Sequence, residues 1–198
     1  MFEAAYRSFE RLGDATGVYT TWEGAMESFF FEWRDFTPAD HWIAELERLR
    51  QRYPDYPSRE VELKTYWAMG TMLHRQPDHP LLPGWAQRAS TLLDASDRGL
   101  SVALGGYLIV WHLWRGETGQ AQTIIDRVQP WVDAEMTPIV YILWCCAVGL
   151  FHSVRGERDP CQRVVEAGLA VASRAGLHNF DFMLCGQMAR CSLVAGEP

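Results

Sequence analysis

The feature that most constrains this chain is a pattern that recurs every 40 residues. The turn Arg115-Gly116-Glu117 is repeated 40 positions later as Arg155-Gly156-Glu157, and a further step reaches Ala195-Gly196-Glu197. A long apolar segment precedes each turn, and a shorter amphipathic segment follows the first two. Self-similarity at a fixed period of this length is typical of stacked helical repeats. The pattern therefore predicts an all-α protein.

Other positions share the same spacing. His112 is matched by His152, Cys145 by Cys185, and Ile124-Ile125 by Val164-Val165. Stepping back from Arg115 by one period reaches Arg75, again after a long apolar segment. Several matches in one register favour a true repeat over coincidence.

Apolar spacing and capping signals predict ten helices and no strand of useful length. The expected ranges are 2–12, 16–33, 38–53, 59–75, 83–95, 98–115, 118–132, a helix after Thr137-Pro138, a helix after Asp159-Pro160 that ends at Arg174, and 178–195. We therefore predict one domain over residues 1–198, a right-handed superhelical solenoid of about five antiparallel helix pairs. The pattern begins and stops in the middle of a pair, which indicates a fragment of a longer multidomain protein.

Local signals set several helix boundaries. Thr37-Pro38 predicts a helix that Thr37 caps, with Pro38 in the first helical position, and Thr137-Pro138 and Asp159-Pro160 repeat this pattern. Ser58 is expected to cap the fourth helix. Pro130 is expected to shorten or kink the seventh, because proline lacks a backbone N–H and clashes with the preceding turn.

Composition excludes some partners. The formal net charge of −7 makes the chain a poor phosphate binder, so no direct contact with nucleic acid is expected. Residues 136–154 carry no formally charged side chain. A helix enclosed by neighbouring helices is also apolar nearly all round, so we expect no membrane span.

Cysteine usage points to a reducing compartment. The five cysteines are an odd number without a disulfide-like framework, and no leader sequence is recognisable at Met1. We expect buried, reduced thiols in a cytoplasmic protein.

Three sequence features resemble tetratricopeptide-type repeats: the Gly-x-x-x-Gln-Ala turn from Gly116 to Ala121, the ERLGD motif from Glu10 to Asp14, and the helix-turn-helix period. The 40-residue length, together with the stretch WEGAMESFFFEWRDFTPADHWI from Trp22 to Ile43, resembles the long repeats of bacterial signal-transducing transcriptional activators of the MalT and bacterial-transcriptional-activator-domain type. In that family the superhelix lies between a nucleotide-binding and a DNA-binding module and receives an inducer or a regulatory protein. The resemblance implies a sensing role.

Candidate chemical sites are weak. His112 and His152 lie at equivalent positions and, with Cys145, would form a soft metal site if they met, but the spacing of a strong zinc motif is missing. We expect instead that each histidine ends a buried helix and bonds a backbone carbonyl. Glu23 and Glu27, four residues apart, are expected to be solvated, as are Glu45 and the charged residues around it on the third helix. We predict no catalytic residue, no metal and no cofactor.

One stripe along the long helices is a candidate for binding. Aromatic residues and arginine anchor partners at interfaces. If the stripe faces a concave surface, it forms an aromatic groove with a polar end, and the alternative is packing between helices. Exposure of Trp67 and Trp114 distinguishes the two. The candidate groove residues are Trp67, His74, Tyr107, Trp114, Gln187 and Arg190.

The sequence thus predicts a non-catalytic domain that senses a small-molecule effector or binds a protein partner, within a cytoplasmic bacterial transcriptional regulator. The alternative is a generic protein-docking scaffold unrelated to transcription. Self-association through the open ends of the solenoid is a further expectation.

Overall fold

The computed structural model describes residues 1–133 and 135–194, which form helices and connecting turns with no strand among them. The helices are α1 (Phe2–Leu12), α2 (Ala15–Glu32), α3 (Ala39–Arg52), α4 (Arg59–Met69), α5 (Met72–Arg75), α6 (Leu82–Leu92), α7 (Arg98–Trp114), α8 (Thr118–Val128), α9 (Pro138–Arg155), α10 (Arg158–Ala175) and α11 (Asp181–Val194). The all-α prediction is confirmed for these residues. The right-handed solenoid, its five pairs and the single domain stay predictions.

The predicted helix over 59–75 is divided in two, which the sequence reading did not foresee. At Gly70 and Thr71 the backbone N–H groups donate to carbonyls three residues back, on Trp67 and Ala68, so that the chain tightens between α4 and α5. Glycine favours such a break because it loses more backbone conformational entropy in a helix than other residues do. The expectation for Pro130 is confirmed, because α8 ends at Val128 and a short 3₁₀ turn follows over Gln129–Trp131.

The capping predictions have mixed outcomes. The Ser58 hydroxyl accepts the Val61 N–H at 3.2 Å, as expected. Thr37 does not cap α3: the helix begins at Ala39 with Pro38 in the capping position, and the Thr37 N–H donates to the Asp35 carboxylate. Asp159 does not cap α10, which already begins at Arg158. Local signals placed the first residues of α4 and α9 correctly and misplaced those of α3 and α10.

Backbone contacts divide the chain into two compact units, Met1–Ala89 and Ser90–Pro198. In the first unit α2 packs against α1, α3 and α4, and α3 contacts α5. Two of the largest aromatic side chains in its interior have paired polar atoms. The Trp22 indole N–H donates to the Trp42 carbonyl, and the Trp85 indole N–H donates to the Tyr66 carbonyl, each at 2.7 Å. These bonds allow two buried indoles without an unpaired donor.

In the second unit α9 packs against α7, α10 and α11, while α8 packs against α7 and α10 also contacts α11. Glycine permits one close approach here. A Cβ atom on Gly168 of α10 would lie 2.9 Å from the Cys145 Cβ and 3.1 Å from the Leu184 side chain. Arg127 joins α8 to the start of the unit by donating to the carbonyls of Ser90 and Leu93.

The apolar segment anticipated over 136–154 is α9, which is long and apolar enough to cross a membrane by length and composition alone. Half of it is buried inside the structure. Its contacts with α7, α8, α10 and α11 account for its apolar character without a bilayer.

Candidate functional site

The six predicted groove residues fall into both units. Trp67 and His74 belong to the first unit, and Tyr107, Trp114, Gln187 and Arg190 belong to the second.

Trp67 and His74 belong to an aromatic cluster around the end of α2. The His74 ring lies 4.7 Å from Trp33 and 5.8 Å from Phe30, and Trp67 lies 6.3 Å from Phe31 between ring centroids. Burial lowers the pKa of His74 to about 4, which keeps the ring neutral. The Trp67 indole nitrogen is buried with no hydrogen-bond partner. These two residues pack against other rings instead of lining an open surface.

The four predicted residues of the second unit differ in exposure. Tyr107 is buried, and Gln187 is buried with its amide oxygen accepting the Ser153 hydroxyl at 3.1 Å. Trp114 is 50% exposed and Arg190 is also exposed. Trp67, by contrast, is half-buried. Exposure therefore favours core packing for most of the stripe and leaves Trp114 and Arg190 as surface residues.

The 40-residue period takes a specific form at the ends of α7 and α9, here named the cap module and defined by the sequence His-x-x-Arg-Gly-Glu. Its copies are residues 112–117 and 152–157. In the first, Nδ1 of His112 lies 2.8 Å from Oε2 of Glu117, and Nε of Arg115 donates to Oε1 of the same carboxylate at 3.0 Å. In the second, the corresponding distances from His152 and Arg155 to Glu157 are 2.7 and 2.6 Å.

The backbone of the two cap modules is also the same. Gly116 and Gly156 have φ values of +76° and +71°, the left-handed conformation that ends many helices. The N–H of Glu117 donates back to the His112 carbonyl, and that of Glu157 to the His152 carbonyl. The histidine and arginine bonds hold the pKa of both glutamates below the ordinary value. The third turn, at Ala195-Gly196-Glu197, lies outside the described residues.

The cap modules correct one expectation. We predicted that His112 and His152 bond backbone carbonyls through their rings, but each ring bonds a carboxylate five residues later. Within residues 1–133 and 135–194, no group of three or more His, Cys, Asp or Glu side chains is placed to hold a metal ion. A metal site from the histidine and cysteine columns is not assembled there.

The cysteines are free thiols. Cys145, Cys146, Cys161 and Cys191 are buried and Cys185 is exposed, so the expectation of burial is wrong for Cys185. Burial raises the pKa of Cys145 and of Cys146 well above the usual range. A thiol in that state is a poor nucleophile because the thiolate is the reactive form.

Two acidic residues contradict the prediction of a solvated face. Glu23 is only 2% exposed, and its carboxylate accepts the Thr65 hydroxyl at 2.7 Å across the contact of α2 with α4. Burial raises the pKa of Glu23 to about 7, and it raises the pKa of Glu27, one turn later, to about 7 as well. Lys64 lowers both values only in part. The pair forms a partly protonated carboxyl site inside the first unit.

A charged pocket of about 270 Å³ lies between α1 and α3. Its floor is apolar and buried, and its rim alternates acidic and basic side chains. Buried Glu45, predicted to be solvated, accepts the Tyr6 hydroxyl at 3.0 Å and pairs with Arg48 at 2.6 Å. The floor is formed by Tyr6, Val18, Trp42 and Leu49, and the rim by Glu3, Arg7, Glu10, His41, Glu45, Arg48 and Arg52.

Sequence reasoning missed this pocket because its two walls are more than 30 residues apart. The heptad-like spacing of Glu3, Arg7 and Glu10 on α1 and of Glu45, Arg48 and Arg52 on α3 was the only available signal. Such charge patterns are also typical of any solvated helix face. The pocket could be recognised only after the two helices were placed together.

Comparisons with protein-family models, with curated proteins and with solved structures gave no match for this chain.

Proposed function

We propose that this chain is a non-catalytic sensing or scaffolding domain, built from 40-residue helical repeats and stacked as a right-handed solenoid. The observation that carries the proposal is the cap module, which occurs twice, 40 residues apart, with the same side-chain and backbone bonds. Repeated helical pairs stack on their nearest neighbours and expose extended surfaces on which partners bind. The resemblance of Trp22–Ile43 to transcriptional activators supports a place in a cytoplasmic bacterial regulator.

The pocket between α1 and α3 supports a small effector as the sensed molecule. A cavity of about 270 Å³ is near the lower limit of small-molecule sites. The rim holds the ion pairs Arg7–Glu3, Arg48–Glu45 and Arg52–Glu10, so a ligand that exchanges with one of these pairs is a small metabolite that carries both a cationic and an anionic group. Effector binding would favour one arrangement of the helices over another, which is the thermodynamic basis of sensing.

A thermal-shift screen of the purified protein against zwitterionic metabolites, nucleotides and metal ions tests this proposal. A ligand at about 100 times its Kd adds roughly 2.7 kcal/mol, a shift in Tm of roughly 5–10 °C for a chain of this size. The shift should shrink in Arg7→Ala, which alters the rim, and persist in Arg11→Ala on the same helix, which lies outside the pocket. A flat screen would contradict the small-molecule form of the proposal.

The second candidate function is a protein-docking scaffold without an effector. The exposed indole of Trp114 favours it, since tryptophan is enriched among residues that dominate binding energy at interfaces. Affinity capture with the intact chain, compared with Trp114→Ala, distinguishes this function: specific capture that depends on Trp114 supports docking, and equal capture by both proteins contradicts it.

A further inference from the structure

An open groove runs along α10 in the second unit. Two shallow pockets of about 150 and 240 Å³ are both lined by Tyr141 of α9. The first is bounded by Val132, Val164 and Ala167, and the second by Met136 and Val171. All of these side chains are half-buried, so their apolar surfaces are partly accessible.

The groove exists because the helices on either side of α9 do not close over it. α8 packs against α7, whereas α10 packs against α9 and α11. Gln129, Val132 and Met136, which follow α8, therefore line one side, α10 lines the other, and α9 forms the floor. We call this surface the α10 groove.

The charge of the α10 groove is opposite to that of the whole chain. Arg163 lines the first pocket and Arg174 lines the second, and no carboxylate lines either one. Both arginines are exposed, and neither forms a hydrogen bond or an ion pair within the described residues. A protein with a formal net charge of −7 thus presents two unpaired cations at a single apolar groove.

The spacing of these features fits a helix. Arg163 and Arg174 are eleven residues apart on one helix, which corresponds to roughly 16 Å at 1.5 Å per residue. Both pockets are smaller than the roughly 300–1,000 Å³ of small-molecule sites, and each has room for one or two apolar side chains. A helix offers apolar side chains at intervals of three and four residues, as helix-in-groove recognition requires.

We propose that the α10 groove binds an amphipathic helix of a partner protein, with apolar residues in the two pockets and acidic residues, about three turns apart, on Arg163 and Arg174. The inference rests on the proposed scaffolding function and names the chemistry of the partner. Carboxylates pair well with arginine because the guanidinium presents several donors in a fixed plane.

Fluorescence anisotropy with a designed peptide tests the proposal. The probe is an alanine-rich helix of eighteen residues with glutamate at its fourth and fifteenth positions and leucine at its eighth, eleventh and twelfth. A second peptide has lysine in place of both glutamates. We expect the acidic peptide to bind the intact protein at least about tenfold more tightly than the basic one, and to lose that advantage in high salt.

Charge reversal of the protein supplies the matched control. In Arg163→Glu/Arg174→Glu the preference should invert, so that the basic peptide binds more tightly. Arg11→Glu/Arg50→Glu makes the same change of charge in the first unit and should leave the preference as it is. Far-UV circular dichroism and thermal unfolding check that the variants fold, as expected for exposed sites.

Two results would overturn the inference. The first is equal binding of both peptides, or none, by the folded intact protein. The second is a charge preference that the reversal at Arg163 and Arg174 does not change, which would place the interaction elsewhere. Either result leaves the proposed function intact if capture through Trp114 or a thermal shift from the α1–α3 pocket is observed.

Discussion

Glu23 carries an ionisable group into the contact between α2 and α4, and the surrounding residues show how this is tolerated. Thr65 donates a hydrogen bond to the carboxylate, and Lys64 lies close enough to lower its pKa in part. Burial acts in the opposite direction and has the largest effect, because a charged carboxylate loses its hydration. The protonated form is therefore the better fit to this site.

Replacing Glu23 by glutamine tests that balance. Since the native pKa of about 7 exceeds the ordinary value, the folded protein binds more protons than the unfolded chain between about pH 4.5 and 7. The free energy of unfolding should then fall as pH rises through this window. Glu23→Gln removes the ionisation and keeps an acceptor for Thr65, so it should stabilise the protein by about 2 kcal/mol at pH 8 and little at pH 5.

Urea unfolding at several pH values measures the effect. Glu47→Gln, at an exposed position on α3, is the matched control and should change little. A Glu23→Gln protein that is no more stable than the wild type at pH 8 would show that the carboxylate is well solvated when charged.

His74 contributes a pH dependence of the opposite sign. Its native pKa of about 4 lies below the ordinary value, so the unfolded chain takes up a proton first as pH falls from about 6.5 to 4, and stability is lost in that window. His74→Phe keeps an aromatic ring among Phe30, Trp33 and Phe36 and should flatten the loss. Denaturant unfolding between pH 7 and 4.5 measures it, with exposed His41→Gln as control. An unchanged slope in His74→Phe would contradict the burial of a neutral ring.

At the scale of elements, the cap module shows how far a sequence pattern reaches. The recurring Arg-Gly-Glu was sufficient to predict a helix end, because glycine readily adopts the left-handed conformation needed there. The bond from the histidine ring to the glutamate could not be predicted from the sequence. The two side chains meet only because the chain reverses its direction at Gly116 or Gly156. The same limit applies to Thr37. It was expected to cap α3, but its N–H group donates to the carboxylate of Asp35 in a different local arrangement.

The two cap modules should have similar energetic effects. Glu117→Gln and Glu157→Gln each replace a carboxylate that bonds both a histidine ring and an arginine. Both carboxylates are about one-third exposed. Screening by solvent limits the expected loss to about 0.5–1 kcal/mol for each change. Equilibrium unfolding in low and high salt measures it, with Glu135→Gln in the same unit as control. A loss at one module alone would show that the two copies are not equivalent.

Close packing among α9, α10 and α11 depends on Gly168. Alanine usually stabilises a helix relative to glycine, but here its Cβ would lie 2.9 Å from the Cys145 Cβ, which forces the helices apart. We expect Gly168→Ala to lower the free energy of unfolding by about 1–2 kcal/mol. Gly186→Ala on α11, where nothing lies within 4 Å, should instead raise it by up to about 1 kcal/mol. Equal effects of the two changes, measured by thermal and urea unfolding, would contradict this packing.

At the scale of the whole molecule, periodicity predicted most helices, whereas binding surfaces were predicted poorly. Apolar spacing reports which face of a helix is buried, and this is why the bounds of α1, α2 and α7 agree closely with expectation. It does not report which helix covers that face. Tyr107 and Gln187 were therefore assigned to a groove although they are buried, while the α1–α3 pocket and the α10 groove depend on contacts between distant residues.

The most direct test of the proposed repeat is removal of one full period. Deleting residues 117–156 joins Gly116 to Glu157 and retains a complete Arg-Gly-Glu turn, so that α10 and α11 take the places of α8 and α9 against α7. Nearest-neighbour stacking predicts a folded helical protein with a cooperative thermal transition at a lower Tm. Deleting residues 117–136, half a period, should abolish cooperative unfolding. The repeat is contradicted if circular dichroism shows that the two deletions behave alike.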